Sequence, residues 1–243
     1  MSIINNILNS YSNFFSLTEL MNELSDPASW GIILTLIILE GLLSADNALV
    51  LAMMVKHLPE KEQKKALTFG IWGAYIFRFI AIGIGTYLIK IWWVKLIAAG
   101  YLLKMSLDFF FKKKTDGNEE VKAVSKGFWA TIATVELMDI AFSIDSVTAA
   151  FGVSNKVWVL FLGAIFGILM MRGIAKVFVS FIDKIPELEG GAYILIMVIA
   201  IKMLLELIHI EIPDFLFYGL LVAIFGGTFI FHNIRKKEKK QLD

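Results

Sequence analysis

The sequence predicts an all-α polytopic membrane protein of seven transmembrane helices, arranged as two inverted three-helix repeats plus a C-terminal helix. Three observations carry that prediction. Of the 243 residues, 58% are hydrophobic, and they gather into long blocks instead of the alternation of a water-soluble core. An acidic pattern occurs twice inside those blocks, at Glu40 to Asn47 (EGLLSADN) and Asp139 to Ser146 (DIAFSIDS). Basic residues, finally, collect in alternate loops between the blocks.

The spans are expected at Trp30 to Met54, Ala66 to Ile89, Val94 to Phe111, Phe128 to Phe151, Val157 to Ser180, Gly190 to Ile208 and Phe215 to Phe231. Each approaches the ~20 apolar residues that a helix needs to cross the hydrocarbon. Residues 1–29 precede them and read as an extracytoplasmic segment. This segment lacks a basic n-region and carries Glu19, Glu23 and Asp26, so no cleaved secretion signal is expected. Repeat one covers 30–111, a charged cytoplasmic loop 112–127, repeat two 128–208, the seventh helix 209–232 and a basic cytoplasmic tail 233–243.

Topology follows from lysine and arginine. The loops after spans one and three hold Lys56, Lys61, Lys64 and Lys65, then Lys112, Lys113, Lys114, Lys122 and Lys126; Lys176 and Lys184 lie on the same side. The tail adds Arg235, Lys236, Lys237, Lys239 and Lys240, against only Lys90, Lys95 and Lys156 on the other side. The positive-inside rule then puts the N-terminus outside and the C-terminus in the cytoplasm.

The repeat extends past the acidic boxes. Gly73 to Arg78 (GAYIFR) in span two matches Gly167 to Arg172 (GILMMR) in span five, and Lys104 to Asp108 (KMSLD) in span three matches Lys202 to Glu206 (KMLLE) in span six. These markers recur in order at an offset of roughly 95 to 100 residues, as a duplicated three-helix unit would produce. Three helices per unit is an odd number, so the second copy enters the bilayer in the opposite sense. Inverted repeats of secondary transporters place the substrate near the midplane, where the halves meet. Span seven has no partner in the repeat, and Gly226 and Gly227 mark it as a packing helix.

Several chemistries are excluded. The chain has no cysteine, so disulfides, thiolate metal sites and thiol redox chemistry are absent. His57, His209 and His232 lie far apart near span ends, so any metal must be held mainly by oxygen. With no His-Glu-x-x-His, nucleophile elbow, phosphate loop or nucleic-acid motif, the chain is not expected to be an enzyme, to use an organic cofactor or to bind nucleic acid.

Carboxylates at bilayer depth cost roughly 2.5 to 3.5 kcal/mol each on insertion scales, so they tend to face a pathway or an ion. On a helix, Glu40, Ser44 and Asn47 share one face; Glu136, Asp139, Ser143 and Ser146 form the matching stripe. If the stripes face each other, they present acids, an amide and hydroxyls to one small volume, a donor set for a hard cation. Asp46 and Asp145 sit about 240° from the first acid of their boxes on a straight helix. Either the helix is distorted there, freeing carbonyls to join the site, or these aspartates pair with Arg78 and Arg172. Distortion is the expectation, because the polar tips coincide in both repeats.

Arg78 and Arg172 stay charged and would hold neighbouring acids ionised. Lys104 with Asp108, and Lys202 with Glu206, have the spacing of intrahelical pairs and are also candidate gates. Glu40, Asp46, Glu136, Asp139, Asp145, Arg78, Arg172, Lys104 and Lys202 together would cost on the order of 25 kcal/mol on naive insertion values. Packing specificity alone rarely justifies so many, so a cation pathway is favoured over a network that only fixes helix register. Met138 is read as packing more than as a thioether ligand. Gly70, Gly73, Gly163 and Gly167 are read as points of close helix contact.

At EGLLSADNALVLA and ELMDIAFSIDSV the chain resembles the TerC family of integral membrane proteins, a likeness running from Trp30 to Phe231. The resemblance implies a seven-helix protein of the bacterial plasma membrane that exports divalent manganese from the cytoplasm, Mn²⁺ being cargo. For some members it also implies supply of manganese to secreted enzymes near the protein-export machinery. Carried onto this chain, the family's intramembrane acids fall on Glu40, Asp46, Glu136, Asp139 and Asp145; the reading of the boxes adds Asn47 as a candidate ligand and Ser44 and Ser143 as supporting residues. Lacking nucleotide-binding motifs, such transport would be secondary, with proton entry the expected drive. The alternatives are a non-transporting scaffold for envelope stress or secretion that holds a structural cation, and an exporter of another cation or a small basic solute.

Overall fold

The computed structural model describes residues 14–84, 92–112, 127–185, 187–210 and 212–242, and among them the only regular elements are helices. These are α1 (Leu17–Ser25), α2 (Pro27–Leu43), α3 (Ala45–Val55), α4 (Glu60–Ile84), α5 (Trp92–Lys112), α6 (Phe128–Val153), α7 (Val157–Lys184), α8 (Glu187–Leu207) and α9 (Asp214–Leu242). Most of the charged 112–127 loop lies outside the described residues.

The first predicted span is two helices. Ser44 stands between α2 and α3 with φ −108° and ψ 11°, the sparsely allowed region between helix and strand. The start of α2 is sharply defined: Asp26 caps it by accepting from the Ala28 N–H at 3.0 Å, and Pro27 occupies the first turn, where its missing N–H costs nothing. α1 meets α2 at 87°. Lys156, just before α7, ties that corner, reaching Glu23 at 2.7 Å and Asp26 at 3.6 Å. The hydrogen bond to Glu23 raises the Lys156 pKa, while the Ala28 N–H, followed by Ser29, lowers that of Asp26.

Among the described residues three helices, α4, α7 and α8, are long and apolar enough to cross a membrane, and the bent pair α1–α2 supplies a fourth if counted as one span. The other predicted spans fall short for identifiable reasons. α5 and α6 have 21 and 26 residues, enough for the ~20 needed. Their apolarity is broken by Lys95, Lys104 and Asp108 in one and by Glu136, Asp139 and Asp145 in the other. α3 is short, and so is the apolar stretch of α9 from Phe215 to Ile230.

Burial is inverted relative to a water-soluble bundle. Trp72, Ile76 and Ile80 of α4, Phe166, Leu169 and Val177 of α7, and Phe215 and Val222 of α9 face outward, whereas Glu40, Arg78, Asp139 and Arg172 are buried. An apolar exterior of this extent suits lipid as solvent. α3, apolar on every side after Asn47, is the innermost helix, with every residue from Asn47 to Val55 buried. Around it α2 packs on α7, α4 on both α6 and α7, and α5 on α8. The first acids of the two boxes, Glu40 and Asp139, therefore both lie in the interior, as do Ser44, Asn47, Ser143 and Ser146. His209 ends α8 with φ 61°, the left-handed conformation that closes many helix C-termini.

Candidate cation site

Four helices deliver the central charges. Glu40 of α2 accepts two hydrogen bonds from Arg78 of α4, Nη1 to Oε2 at 3.1 Å and Nη2 to Oε1 at 3.0 Å, the two-pronged geometry that suits a guanidinium. Ser44 Oγ donates to Glu40 Oε1 at 3.2 Å, and Ser146 of the second box, whose hydroxyl donates to the Ser143 carbonyl at 3.4 Å, lines the same cavity as this carboxylate. Asp139 of α6 accepts from Arg172 Nη2 of α7. Asp139 lies within electrostatic reach of Arg78 and Glu40 as well, and half-buried Glu136 feels both Asp139 and Arg172. Asn47, Ser143 and Ser146 are buried alongside.

The expected hydrophilic stripes thus come together, while the aspartates at the ends of the boxes behave differently. Arg78 and Arg172 each take the first acid of the box that precedes them in sequence, Glu40 and Asp139, so the alternative pairing with Asp46 and Asp145 is corrected. Distortion occurs in one box alone: α6 runs unbroken through Asp145. Asp46 lies in the first turn of α3 and accepts from the Asn47 N–H at 2.8 Å. Asp145 points outward, its side chain 58% exposed, and bonds Lys95 of α5.

Lys95 also approaches Glu206 of α8 at 3.5 Å, and so joins three helices. Lys202, one turn before Glu206 on α8, adds its charge there as well. Sequence spacing assigns Lys95 only to topology, since an i,i+4 rule sees partners within one helix. Lys104 is exposed on α5, one turn before Asp108.

Among the described residues no three or more His, Asp or Glu side chains are grouped to hold a metal ion. The converging acids are held by guanidinium groups instead. Arg78 Nε and Arg172 Nε and Nη1 are buried without a hydrogen-bond partner among the described residues, so the arginines retain unused donors. Beside the Glu40–Arg78 pair lies a cavity of about 20 Å³ between Leu36, Ser146, Leu160 and Ala164, space for about one water. A guanidinium does not release its proton. Freeing Glu40 or Asp139 for a cation therefore requires the arginine to move off it.

The chain matches the model of the integral membrane protein TerC family over residues 25–240. It belongs to the TerC family. A TerC relative, the uncharacterized membrane protein YceF of Bacillus subtilis, is 51% identical over 98% of this chain and 96% of its own length. YkoY of the same organism is 35% identical over 88% of this chain and 75% of its own length. The thylakoid membrane protein TERC of Arabidopsis thaliana is 30% identical over 70% of this chain and 52% of its own length. No solved structure matches this TerC chain.

Proposed function

We propose that this protein is a secondary transporter exporting Mn²⁺ from the cytoplasm of a bacterium through the carboxylates at the meeting point of its two halves. The observation that carries the reading is that both boxes reach one interior cluster: Glu40 of the first and Ser146 of the second line the same cavity, with Arg78, Asp139 and Arg172 buried around it. Carboxylate and hydroxyl oxygens suit a hard divalent ion. Displacing the arginines would expose them in turn, as alternating access requires, and inverted repeats with the N-terminus outside would give each half the same role on opposite faces. Protons entering from outside are the proposed drive.

A specific observation favours a second reading. The acids are already neutralised by arginine, as a scaffold with only structural ion pairs would have them. Manganese flux in proteoliposomes of known orientation separates the two. Flux in the unaltered protein that disappears in a folded Asp139→Asn variant supports transport through this cluster. No flux under an imposed proton gradient favours the scaffold. Competition by calcium, magnesium and lysine defines the cargo.

A further inference from the structure

Glycine is a poor helix former, so its place inside a spanning helix needs a reason. At Gly31, Gly100, Gly173, Gly219, Gly226 and Gly227 an added Cβ would meet nothing within 4 Å. The crowded glycines differ, and three of them crowd against charged residues of the candidate site. A Cβ on Gly70 would lie 2.7 Å from Arg172 Nη2 and 3.1 Å from its Cζ. On Gly73 it would fall onto the carboxylate of Glu136. On Gly167 it would lie 2.5 Å from Cγ and 2.8 Å from Cβ of Glu40.

We propose that Gly70 and Gly73, one turn apart on α4, form a seat that sets the Arg172 guanidinium and the Glu136 carboxylate beside Asp139, which makes both glycines positioning residues of the cation site. The inference rests on reading the cluster as a transport site. Arg172 is 1% exposed, and its Nε and Nη1 lack hydrogen-bond partners among the described residues. Contact with the bare α4 backbone at Gly70 therefore helps to decide where this cation rests. Glu136 lies on the next turn of the same surface, close enough to feel Arg172 and Asp139. A divalent ion that displaces Arg172 from Asp139 then finds Glu136 already in place as a further carboxylate.

Gly73 provides the cleaner test, for a steric reason. Its hypothetical Cβ meets the tip of a flexible side chain, so alanine there moves a carboxylate and spares the helix packing. At Gly167 the clash is with the stem of Glu40, which would push α2 and α7 apart. Shortening the acid by one methylene makes room for the added methyl, so Glu136→Asp is the matched compensating change.

The experiment compares Mn²⁺ flux by the unaltered chain, Gly73→Ala, Glu136→Asp and the double variant in proteoliposomes, with the melting midpoint of each. Gly73→Ala is expected to raise the half-saturating Mn²⁺ concentration about tenfold with maximal flux within about twofold, because a misplaced ligand weakens binding first. The double variant is expected to return to within about threefold of the unaltered chain, a coupling that independent sites would not show. Unchanged half-saturation in Gly73→Ala overturns the seat. So does a double variant whose loss is the product of the two single losses. If the unaltered chain carries no Mn²⁺, the transport reading fails, and the melting midpoints decide the seat separately. A double variant melting above Gly73→Ala upholds it, and additive midpoints overturn it.

Discussion

The boxes Glu40 to Asn47 and Asp139 to Ser146 share a pattern of residues but differ in backbone. In the first, the helix is interrupted at Ser44, whose hydroxyl bonds back to Glu40 and supplies no cap to α3. Asp46 then falls in the first turn of a new helix, where a negative charge is favourable. In the second, Ile140, Phe142 and Ile144 carry α6 straight through, and Asp145 turns out to Lys95. Equal spacing of acids therefore does not imply equal roles. Each box places its first acid on a buried arginine, and the neighbours decide where the second goes.

The largest expected effect tests what the boxes share. Glu40→Gln and Asp139→Asn each leave a buried guanidinium without its charged partner, and the cost of breaking such a pair is about 3 to 5 kcal/mol. Denaturant unfolding in detergent should show similar losses for both. A loss confined to one would mean that the pairs are not equivalent. Replacing both Asp139 and Arg172 by leucine should recover most of the stability, because the desolvated charges are then gone.

A smaller effect is expected where the boxes differ. Ser44→Ala removes a buried hydrogen bond at the interruption and should cost about 1 kcal/mol, measured the same way. Asp145→Asn removes an ion pair whose acid is more than half exposed, so its cost should stay below about 1 kcal/mol. A larger value would mean that the Lys95 link between α5, α6 and α8 holds the bundle together.

The smallest effect concerns pH at the corner between α1 and α2. Asp26, with its pKa below the ordinary 3.8, contributes above that value and loses its contribution as pH falls through the lowered pKa. Lys156, raised above 10.5, contributes fully below that value and loses its contribution as pH rises through the raised pKa. These two groups should therefore leave the corner unchanged between about pH 4 and 10. Trp30, whose indole donates to the Leu24 carbonyl at 2.9 Å, reports this by its fluorescence.

The sequence by itself determined the class of the protein: apolar blocks too long for a soluble core, acids buried at their centres, and the arginines placed to answer them. It also marked Glu40, Asp139, Ser44 and Ser146 as members of converging stripes, because helical periodicity decides which residues share a face. Tertiary structure alone decided the partners. Arg78 chose Glu40 over Asp46, Lys95 linked Asp145 to Glu206, and a bare patch of α4 received Arg172 and Glu136. The periodicity of one helix specifies its own faces, but which charge meets which depends on the crossing of neighbouring helices, and residues tens of positions apart set that together.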